Sequence, residues 1–348
     1  MFQRILVPLD GSTRSELALP VAARIARATG GSVVLLQVVS VVVDGRQFYV
    51  HNTSFMRAVL NDELAKAREY LDRVARSDDL LGIKTETEAM LDVVAPAILT
   101  YAQLHKIDSI VMSSHGLTGF KRWALGSVAQ KVVRHSPVPV LLLREGGSRT
   151  ADLHSDAAHP FRALVALDGS PLAEAVLEPT VHLVAALAAP AAGALHLTQV
   201  VKPTTIQSEH DFEQSDLDVG EQALQEAVTY LSTLADKLGN GIAAEFGLKV
   251  TWSTTADEDV ADALIRMAEL GENTGTLGVE GCELIAISTH GRGGSEHWMM
   301  GSITERVLDG TKLPLFIVCP VAGERGMEQE EYPQTTAEPL KEEAVQVE

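Results

Sequence analysis

The chain repeats itself, and that repetition limits what it can fold into more than any other feature. Ile5-Leu6-Val7-Pro8-Leu9-Asp10-Gly11-Ser12 returns as Ala163-Leu164-Val165-Ala166-Leu167-Asp168-Gly169-Ser170. Leu36-Gln37-Val38-Val39 returns as Thr198-Gln199-Val200-Val201. Ser114-His115-Gly116, followed by Trp123-Ala124-Leu125-Gly126-Ser127, returns as Thr289-His290-Gly291, followed by Trp298-Met299-Met300-Gly301-Ser302. The order is the same in both halves, so a duplicated domain is the economical account. The second copy is longer, and part of the excess is the Gly-rich insertion Gly271 to Gly281. A chain of 348 residues accommodates two such domains.

Each half alternates strand and helix patterns. Arg4 to Leu9 is a continuous apolar run suited to a strand buried on both faces. Ser15 to Thr29 has helical periodicity and stops at Gly30-Gly31, a natural C-terminal cap. Ser32 to Val39 reads as a strand, Asn61 to Arg76 as an amphipathic helix, and Ile83 to Ala89 as a third strand. Val94 to His105 reads as helix, Ser109 to Ser113 as strand, Gly126 to His135 as helix, and Val138 to Leu143 as a last strand. This order predicts parallel pairing with right-handed crossovers, an α/β architecture of two doubly wound five-stranded parallel-sheet domains. The expected divisions are a first domain over 1–145, a linker over 146–160, a second domain over 161–321 and a glutamate-rich disordered tail over 322–348.

Composition removes several classes of function. A formal net charge of −19 argues against nucleic-acid or anionic-membrane partners, which need a basic field. The longest apolar stretch, Val181 to Leu197, is interrupted by His182, Pro190 and His196, which argues against a membrane span. Cys282 and Cys319 lie in apolar stretches without CxxC spacing and read as reduced thiols. Met1 leads almost directly into a strand rather than a signal-peptide core, and the expected location is cytoplasmic.

Two repeated motifs carry the chemistry. In an open parallel sheet, ligands sit at the carboxyl ends of strands where the strand order reverses. Asp10-Gly11-Ser12 and Asp168-Gly169-Ser170 follow the first strand of each half. There an Asp can accept hydrogen bonds from a ribose hydroxyl, or an Asp or Ser can cap the next helix. His115-Gly116 and His290-Gly291 each follow a strand, and after nine residues Gly126-Ser127 and Gly301-Ser302 open a helix. Glycines allow close backbone approach to an anion, and N–H groups at a helix start point toward phosphate oxygens.

These features resemble the universal stress protein family across both halves. Its nucleotide-binding branch has the signature G-x2-G-x9-G-[ST]; Gly116, Gly126, Ser127 and Gly291, Gly301, Ser302 fit it, while Ser113 and Ser288 replace the first glycine. The resemblance implies adenine nucleotide alpha hydrolase-like domains packed as an intramolecular pseudo-dimer, with Val138 to Leu143 pairing with Leu315 to Cys319, and leaves a homodimer open. It implies ATP as ligand, with Mg²⁺ as its companion ion. Pro8, Leu9, Asp10 and Ala166, Leu167, Asp168 then fall at the nucleoside, and Val38 and Val200 at the adenine. Ser113, His115, Gly116, Gly126, Ser127, Val128 and Ser288, His290, Gly291, Arg292, Gly301, Ser302, Ile303 fall at the phosphates. Leu117 stands where Arg292 does, and Lys121 and Arg122 are read as a solvated helix face.

Other residues are given structural roles. His115 and His290 have no nucleophile or carboxylate at a sensible spacing, so they are read as loop-positioning and no catalytic residue is assigned. Trp123 and Trp298 are read as packing under the loop, and Asp92 and Asp257-Glu258-Asp259 as solvated loops rather than a Mg²⁺ site. Walker A, Rossmann and GxSxG motifs are missing from the sequence. The expected function is ATP binding as a regulatory or stabilising ligand in a stress response. A nucleotide-free interaction scaffold and a slow ATPase are the alternatives.

Overall fold

A computed structural model describes residues 1–40, 42–43, 46–47, 54–116, 125–144, 161–203, 215–271, 281–291 and 300–320. The linker, the acidic tail, Leu117, Lys121, Arg122, Trp123, Arg292, Trp298 and most of the Gly271 to Gly281 insertion lie outside them. The first half contributes strands β1 (Arg4–Leu9), β2 (Ser32–Ser40), a two-residue pair β3 (Val42–Val43) and β4 (Arg46–Gln47), then β5 (Lys84–Asp92), β6 (Ser109–Ser113) and β7 (Val140–Leu143). The second contributes β8 (Phe161–Ala166), β9 (Gly193–Val201), β10 (Lys249–Ala256), β11 (Leu284–Ser288) and β12 (Leu315–Val318).

Both halves are mixed α/β and join in one ten-stranded sheet, ordered β10-β9-β8-β11-β12-β7-β6-β1-β2-β5. Within this sheet every pairing inside a half is parallel, because each crossover runs through a helix, while the separate β3–β4 pair is antiparallel. At the centre β12 and β7 are antiparallel, with Leu315, Phe316 and Ile317 opposite Leu142, Leu141 and Val140. The pairing expected of the two last strands is therefore present, and it covers an edge that each half alone would expose.

Strand alternation explains the core. Ile5 and Val7 join one apolar layer and Leu6 the other, as do Leu141 and Leu142, because successive side chains leave opposite faces. Each layer runs unbroken through the β7–β12 seam. Phe2 of the first half meets Phe316 of the second with ring centroids 6.3 Å apart. Helices Ala18–Thr29 and Leu177–Ala188 pack against each other on one side of the seam. On the other, Arg134 forms an ion pair with Glu305.

One expectation is revised. The helix read over Ser15 to Thr29 is broken at Leu17 into Thr13–Glu16 and Ala18–Thr29. Ser12 caps the short turn by accepting from the Ser15 amide at 3.2 Å, which starts helical structure earlier than periodicity suggests. The apolar stretch Val181 to Leu197 divides between helix Leu177–Ala188 and strand β9, both largely buried.

Candidate functional site

The order of the first half places β1 between β2 and β6, so the chain turns opposite ways on either side of the β1 carboxyl end. A cavity of about 600 Å³ opens there. Pro8, Leu9, Asp10, Val38, Ser113, His115, Gly116, Gly126, Ser127 and Val128 all line it. The structure thus brings together every first-half residue assigned from the sequence to nucleotide binding.

Local chemistry explains how the two motifs meet. Gly11 turns the chain with φ +84°, a left-handed conformation that glycine adopts without strain. The turn is held by the Asp10 carboxylate, whose Oδ1 accepts from the Ser12 amide at 3.0 Å and the Ser12 hydroxyl at 2.6 Å. The other carboxylate oxygen lies over Gly116: a Cβ built there would stand 2.0 Å from Asp10 Oδ2. Any side chain there would have to push the Asp10 carboxylate aside, so glycine suits this close approach of the loop after β6 to the end of β1. Gly126 folds back by donating its amide to the Ser114 carbonyl at 2.9 Å, and a Cβ there would be 3.0 Å from that oxygen.

Helix Ser127–His135 starts at Gly126 with no side-chain cap, whereas Ser12 caps the helix after β1. Among the described residues no side chain caps its first amides at the cavity floor, an arrangement suited to an anion. His115 is buried, its Nδ1 3.0 Å from the Ser114 hydroxyl, and its Nε2 has no hydrogen-bond partner among the described residues. Its backbone amide donates to Ser113 Oγ at 3.4 Å, so the serine replacing the signature glycine serves the loop.

Sequence reasoning missed the wall formed by helix Ser54–Val74, which contributes Glu63, Lys66, Ala67 and Tyr70. The Tyr70 hydroxyl donates to Glu16 Oε1 at 2.9 Å, and burial followed by the Glu16 carboxylate pushes the phenol pKa upward. The repeat held a signal for this: Ala67, Tyr70 and Leu71 return as Ala227, Tyr230 and Leu231, and Tyr230 donates to Glu174 at 3.1 Å. Gln37 was seen as part of a repeat but given no role; it also lines the cavity.

The second half repeats the convergence but not the cavity. Gly169 has φ +81°, Asp168 Oδ1 accepts from the Ser170 amide at 2.9 Å, and a Cβ at Gly291 would be 2.0 Å from Asp168 Oδ2. His290 Nδ1 lies 2.8 Å from the Thr289 hydroxyl, and Gly301 donates to the Thr289 carbonyl at 2.8 Å. Yet the second cavity, about 480 Å³, reaches only Asp168 and Val200 of the predicted set. Ala166, Leu167, Ser288, His290, Gly291, Gly301, Ser302 and Ile303 lie outside its lining.

Two side-chain differences accompany the change. Thr304 replaces cavity-lining Ala129 and donates to the Ser288 carbonyl at 2.9 Å, and Met300 is buried where Leu125 is half-buried. Charge does not separate the cavities, since each is lined by two carboxylates and one lysine.

Asp257 and Asp259, weighed as ion ligands, are paired with Arg266 and Arg306. These arginines help to hold both carboxyls below the usual carboxylate range, after the Asp259 amide for Asp257 and as the leading cause for Asp259.

A sequence model of the universal stress protein family matches residues 1–144 and again 161–318. The chain belongs to the universal stress protein family. Among curated relatives, a universal stress protein of Methanocaldococcus jannaschii is 31% identical over 145 residues, covering 42% of this chain and 84% of its own. A universal stress protein of Bacillus subtilis is 29% identical over 154 residues, covering 41% of this chain and 100% of its own. Each therefore corresponds to one half of this tandem universal stress protein. A solved universal stress protein from Archaeoglobus fulgidus spans both halves, with TM-score 0.62, 22% identity, and coverage of 92% of this chain and 99% of its own. That likeness establishes the fold of the tandem arrangement.

Proposed function

We propose that the first half binds ATP, accompanied by Mg²⁺, as a regulatory or stabilising ligand in the stress response expected of the family. The single observation that carries this reading is one cavity joining the Asp10 and Val38 end to the uncapped helix start at Gly126-Ser127. Asp10 would accept from ribose hydroxyls, and the glycine-lined floor would receive phosphates through backbone N–H groups. About 600 Å³ lies within the range of small-molecule and cofactor sites. Mg²⁺ would rest chiefly on phosphate oxygens and water.

His115 has a hydroxyl neighbour and no carboxylate partner at its ring, so the arrangement suits holding a triphosphate better than cleaving it. The site fits a cytoplasmic sensor of the nucleotide pool. Bound at about 100 times its Kd, ATP would add roughly 2.7 kcal/mol to the folded state.

Calorimetry with Mg²⁺ and ATP tests the reading. Gly126→Trp, whose side chain would occupy the phosphate position, is expected to weaken binding at least ~100-fold, about 2.8 kcal/mol. Thermal unfolding checks that the variant is folded. Unchanged affinity and stoichiometry in the folded variant would show the assignment to be wrong.

A further inference from the structure

The ten-stranded sheet ends in two unlike edges. At one end β5 carries Lys84, Glu86, Glu88 and Asp92, and charges of this kind keep an edge strand from pairing with another chain. At the other end β10 runs Val250-Thr251-Trp252-Ser253-Thr254-Thr255-Ala256, without a charge, proline or glycine and rich in β-branched side chains. Among the described residues β9 is its only strand partner. The Asp257 amide donates to the Val201 carbonyl at 3.0 Å, so by alternation the odd-numbered residues of β10 turn their backbone groups toward β9. Val250, Trp252, Thr254 and Ala256 therefore aim theirs away from the sheet.

We infer that β10 is a dimerisation edge, pairing antiparallel with β10 of a second copy of this chain about a two-fold axis at Ser253. In that register Val250 meets Ala256 of the partner subunit, and Trp252 meets Thr254 of the partner subunit. The residues with outward backbone groups then face one another and exchange about eight hydrogen bonds. Charge selects the same arrangement. The strand starts at exposed Lys249 and runs into Asp257 and exposed Glu258, so antiparallel pairing sets Lys249 opposite Asp257 of the partner subunit. That carboxylate also holds its own Arg266. Parallel pairing would bring like ends together. The other edge offers no equivalent: β5 centred on itself puts Glu86 or Glu88 opposite a glutamate, and β10 on β5 is head-to-tail and does not close. The β7–β12 seam already joins the two halves by the same antiparallel device.

Sedimentation of the full chain is expected to show a dimer that dissociates on dilution. Thr254→Pro removes an amide that faces away from β9, so it should spare the fold and weaken dimerisation at least ~100-fold. Lys249→Glu sets like charges opposite each other twice per dimer and should weaken it about tenfold. Thermal unfolding confirms that both variants are folded. Ser253→Cys tests the register: at the axis the two Cα atoms would stand about 4.5 Å apart, within disulfide range, so mild oxidation should link two chains. Adding Thr254→Pro to that variant should abolish the link.

A chain that stays monomeric overturns the inference. So does a dimer that survives Thr254→Pro, or one that Ser253→Cys does not link. Species that keep growing beyond the dimer as concentration rises would show head-to-tail contact and overturn it too.

Discussion

The two halves of this universal stress protein share an ancestor, a topology and a hydrogen-bonded frame, yet differ where a ligand would sit. Asp10 over Gly116 and Asp168 over Gly291 are the same device: in both, a Cβ at the glycine would stand 2.0 Å from a carboxylate oxygen. Tyr70 on Glu16 and Tyr230 on Glu174 are likewise matched. The divergence lies one layer further in. Ala129 lines the cavity beside Gly126, whereas Thr304 ties its hydroxyl to Ser288, and among the described residues the first cavity includes the helix start while the second does not. The backbone frame of a site can therefore be conserved between duplicates while small side-chain changes decide what the frame encloses.

The same divergence reaches the core. His196 in β9 stands where the first half has Val34, on the same face of the sheet. It is 2% exposed, with Nδ1 and Nε2 each 2.9 Å from a hydroxyl, of Thr251 and Ser253. Burial, with a smaller contribution from Arg162, lowers its pKa to about 4 from an ordinary 6.5. One half thus carries a neutral buried histidine where the other carries an aliphatic side chain.

Breaking the seam should have the largest effect. Phe316→Ala removes a fully buried ring that packs near Phe2 across the halves, and it should destabilise the protein by about 3–5 kcal/mol. If the halves unfold as one unit, denaturant unfolding keeps a single transition that moves to lower concentration. Two separated transitions would show that the seam couples them weakly.

His196→Val, which imports the first half's residue, should alter the acid response next. The folded state keeps this histidine neutral down to about pH 4, while the unfolded chain takes up a proton from about pH 6.5. Stability is therefore lost as pH falls from 6.5 to 4, at about 1.4 kcal/mol per unit, or roughly 3 kcal/mol in all. The variant should lack that loss, measured by urea unfolding at intervals across the window. An unchanged slope would show that His196 is not the responding group.

The smallest effect sharpens the comparison of cavities. Ala129→Thr gives the first half the residue of the second and adds volume beside Gly126, so it should weaken ATP binding about tenfold, about 1.4 kcal/mol. If ATP affinity is unaffected, Thr304 is not what separates the halves.

Much of this is legible in the sequence. The duplication, the strand–helix alternation and the convergence of Asp10-Gly11-Ser12 with His115-Gly116 and Gly126-Ser127 follow from repeated residues at repeated spacing. The helix limits were less legible: Leu17 interrupts a run whose apolar period continues across it, because the Ser12 cap starts a turn locally. The wall from helix Ser54–Val74 was present in the sequence only as the faint repeat of Ala67 and Tyr70, and its approach to the β1 end depends on how the helix crosses the sheet.

The sequence by itself determined that there are two α/β domains of one kind, which residues turn the chain at their ligand ends, and which family they belong to. Those properties depend on local chemistry and spacing: a glycine at positive φ, a capping hydroxyl, an apolar run. Only the tertiary structure decided that the two copies are unequal. Whether a cavity reaches a helix start depends on the volumes of side chains drawn from several elements, such as Ala129 against Thr304, and packing of that kind is set in three dimensions.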